Sequence, residues 1–221
     1  MQVLGFDPSL TNFGWAVHDP DIIGVARCPS RGRFQTSSKQ LFIDRYIEMR
    51  SRVIALVQGQ GIYRVGVEYP IFNDLWSEGM YGLFLFTCEA LREVGADVVF
   101  FSPGQLKAHA RYFLDRPKGW VMMKPDMVEA ARADTGGSGR WNHNEADAYW
   151  VARSAAQFWM LLDGAIDEKD LTPLEHKQFM SIHTYKRGKR AGKTVHRGIL
   201  YREDERFFRW SGGEDGTTTE R

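Results

Sequence analysis

The chain has little cysteine, no long apolar run and no internal repeat. Its two cysteines among 221 residues, Cys28 and Cys88, are too few for a disulfide framework or a cysteine-rich zinc site, and they indicate a reducing compartment. No stretch approaches the roughly 20 apolar residues that a membrane span needs. The sequence also begins with a strand pattern rather than a signal peptide. We therefore expect a cytoplasmic protein with no membrane partner.

Charge is present in both signs but is unevenly distributed. The formal net charge is +1, yet residues 177–210 contain ten Lys or Arg and three Asp or Glu, which leaves the rest of the chain mildly acidic. A basic segment attached to an acidic body indicates a polyanionic partner. Hydrophobic residues make up 43% of the chain, so its length is sufficient for one sizeable domain plus an extension.

The order of predicted elements indicates an α/β domain. The predicted strands are short runs of β-branched and aromatic residues at 2–7, 13–18, 22–27, 63–68 and 97–101. The predicted helices have apolar residues at helical spacing and lie at 38–58, 79–94, 103–114, 125–134 and 143–162. Three strands followed by alternating helices and strands predict a five-stranded mixed sheet flanked by helices, the ribonuclease H-like pattern.

Three acidic residues stand where an unpaired charge would be costly. Asp7 ends the first predicted strand, Glu68 ends the apolar run 64–68, and Asp147 lies inside an apolar helix. Three acids on three separate elements can meet around a divalent metal, and Mg²⁺ prefers oxygen ligands. We predict a two-ion magnesium site in which Asp7 bridges both ions, Glu68 holds one and Asp147 holds the other. Mn²⁺ is expected to substitute, and no organic cofactor is expected.

Two neighbours of Asp147 compete for the role of fourth ligand. Asn144 and His143 precede Asp147 by three and four residues, so both share its helical face. Asn144 would ligate through its carbonyl oxygen and His143 through nitrogen, which Mg²⁺ accepts poorly. Glu145 lies off that face, and its position three residues after Asn142 predicts a capping box instead.

Four segments, in this order, resemble the motifs of the RuvC family of Holliday junction resolvases. Residues 7–15, DPSLTNFGW, resemble that family's opening Asp-Pro-Gly/Ser…Gly-Tyr/Trp, and residues 67–69 resemble its second acidic motif. Residues 102–107, SPGQLK, resemble its Pro-x-x-Val/Leu-Lys motif, and residues 145–148, EADA, resemble its last motif. The ordered set is much more specific than any one motif alone.

The resemblance spans about residues 1–160. It departs at Asn144, where the family usually has Asp, or His in some members. It implies a nuclease domain at 1–162, followed by a linker at 163–175. The basic extension at 176–221, which we expect to be partly disordered with a hairpin around its glycines, is not part of the compact bacterial enzymes and resembles an extension of a phage-encoded relative.

The resemblance also implies contacts with DNA. Lys107 and Lys124 would face the scissile phosphate and its neighbours, with Lys107 stabilising the developing charge. An aromatic residue in the loop after Glu68 would wedge against bases at the crossover; Phe72 is the expected residue and Trp76 the alternative. Basic residues of the extension are expected to contact phosphates without reading sequence: Lys186, Arg187, Lys189, Arg190 and Lys193.

The expected function is that of a metal-dependent, structure-selective DNA endonuclease resolving four-way junctions, in a bacterial or phage-infected host cytoplasm. A homodimer is expected because a two-fold junction needs two symmetric nicks. Helix 79–94 is also apolar on more than one face. The alternatives are another ribonuclease H-like nuclease acting on flaps or hybrids, and a non-catalytic protein that binds branched DNA. A sugar-kinase-like ATPase would need two such domains, for which this chain is too short.

Overall fold

Five strands form one mixed sheet at the centre of the protein. The computed structural model describes residues 1–20, 26–69, 78–137 and 139–180, together with four short strands beyond them. The strands of the central sheet are β1 Val3–Asp7, β2 Asn12–His18, β3 Arg31–Gln35, β4 Arg64–Glu68 and β5 Asp97–Phe101. Their order is β3-β2-β1-β4-β5; β1, β2 and β3 pair antiparallel, whereas β4 pairs parallel with both β1 and β5. The predicted five-stranded mixed sheet is confirmed.

The third strand lies later in the chain than its predicted position. A strand was predicted at 22–27, but the strand that pairs with β2 is β3, and residues 21–25 lie outside the described part of the chain. Arg27 and Asp19 pair in an isolated antiparallel bridge. The pairing of β3 is favoured by tertiary packing, because the Phe34 ring lies 5.8 Å from the Phe13 ring across the two strands.

Helices cover both faces of the sheet. They are α1 Phe42–Gln60, α2 Glu78–Glu93, α3 Pro103–Phe113, α4 Lys124–Asp134, α5 His143–Leu162 and α6 Pro173–Met180. Side chains alternate along a strand, so Leu4 and Phe6 point to one face, where they join an apolar cluster with Met49 of α1 and Leu83 of α2. The opposite face of β1 carries α5, which is surrounded by α3, α4 and α6.

Four of the five predicted helices agree with the structure within one residue at each end, while α1 begins at Phe42, four residues later than predicted. The predicted capping box at the start of α5 is confirmed. The Asn142 side chain accepts a hydrogen bond from the backbone N–H of Asn144 at 2.9 Å, and the Glu145 carboxylate accepts one from the backbone N–H of Asn142 at 3.2 Å. The boundary of α5, on which Asp147 lies, is therefore fixed by local sequence.

The chain after α5 returns to the domain instead of leaving it at once. A 3₁₀ turn at Glu168–Asp170 leads into α6, and both Glu175 and Phe179 of α6 are buried. Beyond α6, β6 Ile182–Thr184 pairs antiparallel with β7 Thr194–His196. Strands β8 Leu200–Arg202 and β9 Phe208–Trp210 form a second antiparallel pair. Within the described part of the chain, no helix is long and apolar enough to cross a membrane.

Candidate active site

The sheet places Asp7 and Glu68 side by side. The parallel pairing of β1 with β4 runs through Gly5–Gly66 and Phe6–Val67, and Asp7 and Glu68 follow as the last residues of their strands. Because side chains alternate across a strand, each acid points to the same face as the glycine two residues before it. Both carboxylates therefore point to the face that α5 covers.

Three glycines allow α5 to approach that face closely. A Cβ at Gly5 would lie 2.1 Å from the carbonyl oxygen of Ala148, and a Cβ at Gly14, the partner of Asp7 on β2, would lie 2.1 Å from that of Asn144. At Gly66 a Cβ would lie 2.8 Å from the Ala155 side chain. Larger residues at these positions would displace the helix. The close approach brings Asp147, one residue before Ala148, to the two acids of the sheet.

The three carboxyls interact with one another. Burial, together with repulsion from Glu68 and Asp147, raises the pKa of Asp7 well above its ordinary value. Burial and the charge of Asp147 raise the pKa of Glu68 to about 8, and burial raises the pKa of Asp147 to about 6. Like charges crowded in a buried site resist simultaneous ionisation, which is typical of catalytic and metal-binding acids. The structure thus brings the three predicted acids together.

Two lysines complete this electrostatic cluster. Lys107 lies on α3 and lowers the pKa of both Glu68 and Asp147, whereas Lys124 begins α4 and lowers the pKa of Asp7 and Asp147. The two cations therefore act from different helices on overlapping pairs of acids. Both lysines are exposed at the surface, so they remain accessible to an anionic ligand.

The two candidates for the fourth ligand occupy different environments. The Nζ of Lys124 donates a hydrogen bond to Nε2 of His143 at 3.2 Å, and partial burial next to Lys124 and Arg33 lowers the pKa of His143. The Nε2 lone pair of His143 thus already accepts from a cation. Asn144 is 9% exposed and packs over Gly14. The environment of Asn144 is therefore the more compatible with a ligand of a hard cation.

The donor set fits hard divalent cations. Carboxylate and amide oxygens are preferred by Mg²⁺ and Mn²⁺, and a cation would relieve the repulsion that raises these pKa values. Among the residues that the structure describes, no group of three His, Cys, Asp or Glu side chains is arranged to hold one ion. The chemistry of the donor set, three carboxyls and one side-chain amide, therefore fits a hard divalent cation.

Several predicted DNA contacts cannot be located. Phe72 and Trp76 lie outside the described residues, as do the basic residues of the extension: Lys186, Arg187, Lys189, Arg190 and Lys193. Conversely, Arg33 of β3, whose charge acts on His143, was not among the predicted site residues. The alternation of Arg31 and Arg33 with the intervening residues is a strand pattern that would have revealed it.

Comparisons with solved structures identify the fold. RuvC from Thermus thermophilus matches with a TM-score of 0.60, 21% identity and coverage of 74% of this chain and 97% of that chain. The same enzyme in complex with Holliday junction substrate matches with a TM-score of 0.59 and 20% identity, over 74% of this chain and 97% of that chain. The yeast mitochondrial Holliday junction resolvase Ydc2 matches with a TM-score of 0.50 and 11% identity, over 73% of this chain and 82% of that chain. No family model and no curated protein matches the sequence. The chain has the ribonuclease H-like fold of the RuvC-type resolvases.

Proposed function

We propose that this protein is a metal-dependent, structure-selective endonuclease that resolves four-way DNA junctions. The observation that carries the proposal is the convergence of Asp7, Glu68 and Asp147 between two lysines on this fold. The nuclease domain comprises residues 1–162, against which α6 packs. The proposed location is a bacterial or phage-infected host cytoplasm.

Each site residue has a role in this proposal. Asp7, Glu68, Asp147 and the side-chain amide of Asn144 would hold the divalent ions. When bound, such ions would supply activation of the attacking water and neutralisation of charge on the leaving oxygen. Lys107 would stabilise the charge that develops on the phosphate, because its own charge acts on both Glu68 and Asp147.

Lys124 is suited to a neighbouring phosphate. It borders an open cleft of about 740 Å³ between α4 and the start of α5, whose lining also includes Arg132, Trp141 and His143. The lining also includes Glu129, which pairs with Arg116, so Lys124 and Arg132 are the cations of the cleft that would accept the strand flanking the cut. The aromatic wedge, Phe72 or Trp76, and the basic extension are proposed as further contacts with branched DNA.

A homodimer would supply two sites for the two strands of a junction. Four large apolar side chains at the start of α1 are about half exposed or more: Leu41, Phe42, Ile43 and Ile47. On α2, the Leu85 side chain is 46% exposed. A group of exposed apolar side chains on adjacent helices is typical of an interface between protein chains.

Nicking of a synthetic four-way junction tests the proposal. We expect Mg²⁺-dependent cuts at two-fold related positions on opposing end-labelled strands, with Mn²⁺ replacing Mg²⁺, and a dimer by light scattering. A matched flap and an RNA–DNA hybrid serve as controls. Preferential cutting of either control would favour the broader nuclease alternative. Binding without any metal-dependent cutting would favour a non-catalytic branched-DNA-binding protein.

A further inference from the structure

The loop between α3 and α4 carries large apolar side chains on its surface. Trp120 is 45% exposed, Val121 74% and Met123 60%, and Tyr112 near the end of α3 is 49% exposed. A single exposed apolar residue needs no explanation, but three within four residues form a patch of the kind that marks binding sites. The patch ends one residue before Lys124.

The backbone of this loop is held in place. The amide of Trp120 donates to the carbonyl oxygen of Pro117 at 2.8 Å. The guanidinium of Arg111 donates to the carbonyl oxygen of Lys118 at 2.7 Å, which ties the loop to α3. Such bonds restrict the loop before any ligand arrives, so a ligand that binds there pays less in ordering entropy.

The side chain of Trp120 also packs against a guanidinium group. The guanidinium carbon of Arg116 lies 5.3 Å from the centre of the Trp120 ring, and the same guanidinium donates to both carboxylate oxygens of Glu129 at 2.9 and 3.0 Å. One ring face is therefore covered by a cation that α4 fixes. At the other end of the loop, the Met123 amide donates to the Asp126 carboxylate at 2.7 Å.

The charge around the patch is positive. Residues 107–126 contain five Lys or Arg and two Asp, and one of these acids, Asp126, caps α4. The segment begins at Lys107 and ends just after Lys124, the two lysines whose charges act on the catalytic acids. An apolar patch within a basic segment beside a phosphodiester-cleaving site is complementary to a nucleotide, which presents an apolar base face next to an anionic phosphate.

We propose that Trp120, with Val121 and Met123 beside it, is a stacking surface for an unpaired base of branched DNA next to the cleaved phosphate. This inference rests on the proposed function and adds a contact that none of the predicted motifs contains. Every base has a π face, so stacking would favour opened over fully paired DNA without reading sequence. The surface would thus contribute to selectivity for junctions over linear duplex.

Binding of the full-length protein to a labelled immobile four-way junction and to a linear duplex of equal length tests this inference. In metal-free buffer, where no strand is cut, Trp120→Ala should raise the junction Kd about tenfold, equivalent to about 1.4 kcal/mol. The duplex Kd and the salt slope of junction binding should stay unchanged, because no phosphate contact is lost. Trp120→Phe should keep most of the affinity. Tyr63→Ala is the control. It removes an equally exposed ring just before β4, at the end of the strand away from Glu68, and should leave the junction Kd unchanged.

The outcomes separate the inference from the proposed function. If the unaltered protein neither binds nor cuts junctions, both fail. If it binds and cuts them, and Trp120→Ala binds the junction as tightly as the unaltered protein, the stacking surface alone is refuted. An equal loss on junction and duplex would also refute it, because the contact would then not depend on an unpaired base. A change in particle mass by light scattering would identify the patch as a contact between protein chains instead.

Discussion

The buried carboxylate of Glu175 joins α6 to the domain, and its removal should have a large, pH-dependent effect on stability. Glu175 is 3% exposed; its carboxylate accepts hydrogen bonds from His109 Nε2 at 2.8 Å, from the Gln157 amide and from the Thr172 backbone amide at 2.8 Å. Burial alone would raise the pKa of Glu175, but hydrogen bonds with His109 and Thr172 and the charge of the His109 imidazole lower it to about 2. Burial lowers the pKa of His109, whereas the hydrogen bond to Glu175 raises it, and the His109 Nδ1 lies 2.9 Å from the Ser154 hydroxyl oxygen.

The magnitude follows from the difference between the folded and unfolded states. A carboxyl whose pKa falls from 4.5 to about 2 on folding stabilises the fold by about 3 kcal/mol at pH 7. Because folding lowers the pKa of Glu175, this contribution is complete when the pH lies above the pKa of the unfolded state. It is lost as the pH falls through the pKa of the folded state. At pH 3 about 1.5 kcal/mol of it should remain.

Urea unfolding of Glu175→Gln, followed by tryptophan fluorescence, measures this contribution. We expect the free energy of unfolding to fall by about 3 kcal/mol at pH 7 and by about 1.5 kcal/mol at pH 3, relative to the unaltered protein. Glu129→Gln is the matched control. It breaks an exposed ion pair with Arg116 and should cost less than about 1 kcal/mol at both pH values. Equal costs for the two variants, or a Glu175→Gln deficit that does not shrink at pH 3, would refute an ionised, buried Glu175.

Three further predictions concern the site and the extension. Asp7→Asn should abolish nicking while leaving junction binding largely intact, as gel shift and cleavage assays on one preparation would show. Asn144→Ala should raise the Mg²⁺ concentration for half-maximal nicking by about tenfold or more, as expected for loss of a ligand or of its support. His143→Ala should have a smaller effect, because its Nε2 accepts from Lys124. Removing residues 181–221 should weaken junction binding and lower its salt slope by about 0.9 for each lost phosphate contact.

Each of these has a result that would contradict it. Nicking by Asp7→Asn at the unaltered rate would mean that the site is wrongly assigned. Equal and small effects of Asn144→Ala and His143→Ala would indicate three carboxylates completed by water. The truncation begins after α6 because Phe179 is buried, but it also removes β9, which lies against β5, so circular dichroism must first show that the shortened protein is folded. An unchanged salt slope would show that the extension does not contact phosphates.

The parts of the fold that were predictable are those in which local sequence and tertiary structure agree. The strands that end in Asp7 and Glu68 are apolar runs that stop at an acid, and α3 and α5 begin at capping boxes that can be read in the sequence, starting at Ser102 and Asn142. The candidate site followed because its three acids interrupt those apolar elements. Such interruptions are costly unless they serve a purpose.

Two features depended on contacts that local sequence does not reveal. The segment 31–35 has weaker strand character than 22–27, yet β3 forms there because Phe34 packs against the ring on β2. The burial of Glu175 was equally hidden. A charged residue in an acidic segment indicates surface exposure, and its partner His109 lies 66 residues away in the chain.

The glycines beneath α5 have a consequence for how the site responds to change. At Gly5 and Gly14 the atoms that meet the sheet are the carbonyl oxygens of Ala148 and Asn144, so the spacing between the sheet acids and Asp147 is set by main-chain contact. Main-chain atoms have no rotamers. Substitutions elsewhere in the core can therefore alter side-chain packing and stability while the geometry of the acids is retained. A single methyl group at Gly5 or Gly14 would shift a whole helix, and with it the position of one acid relative to the other two.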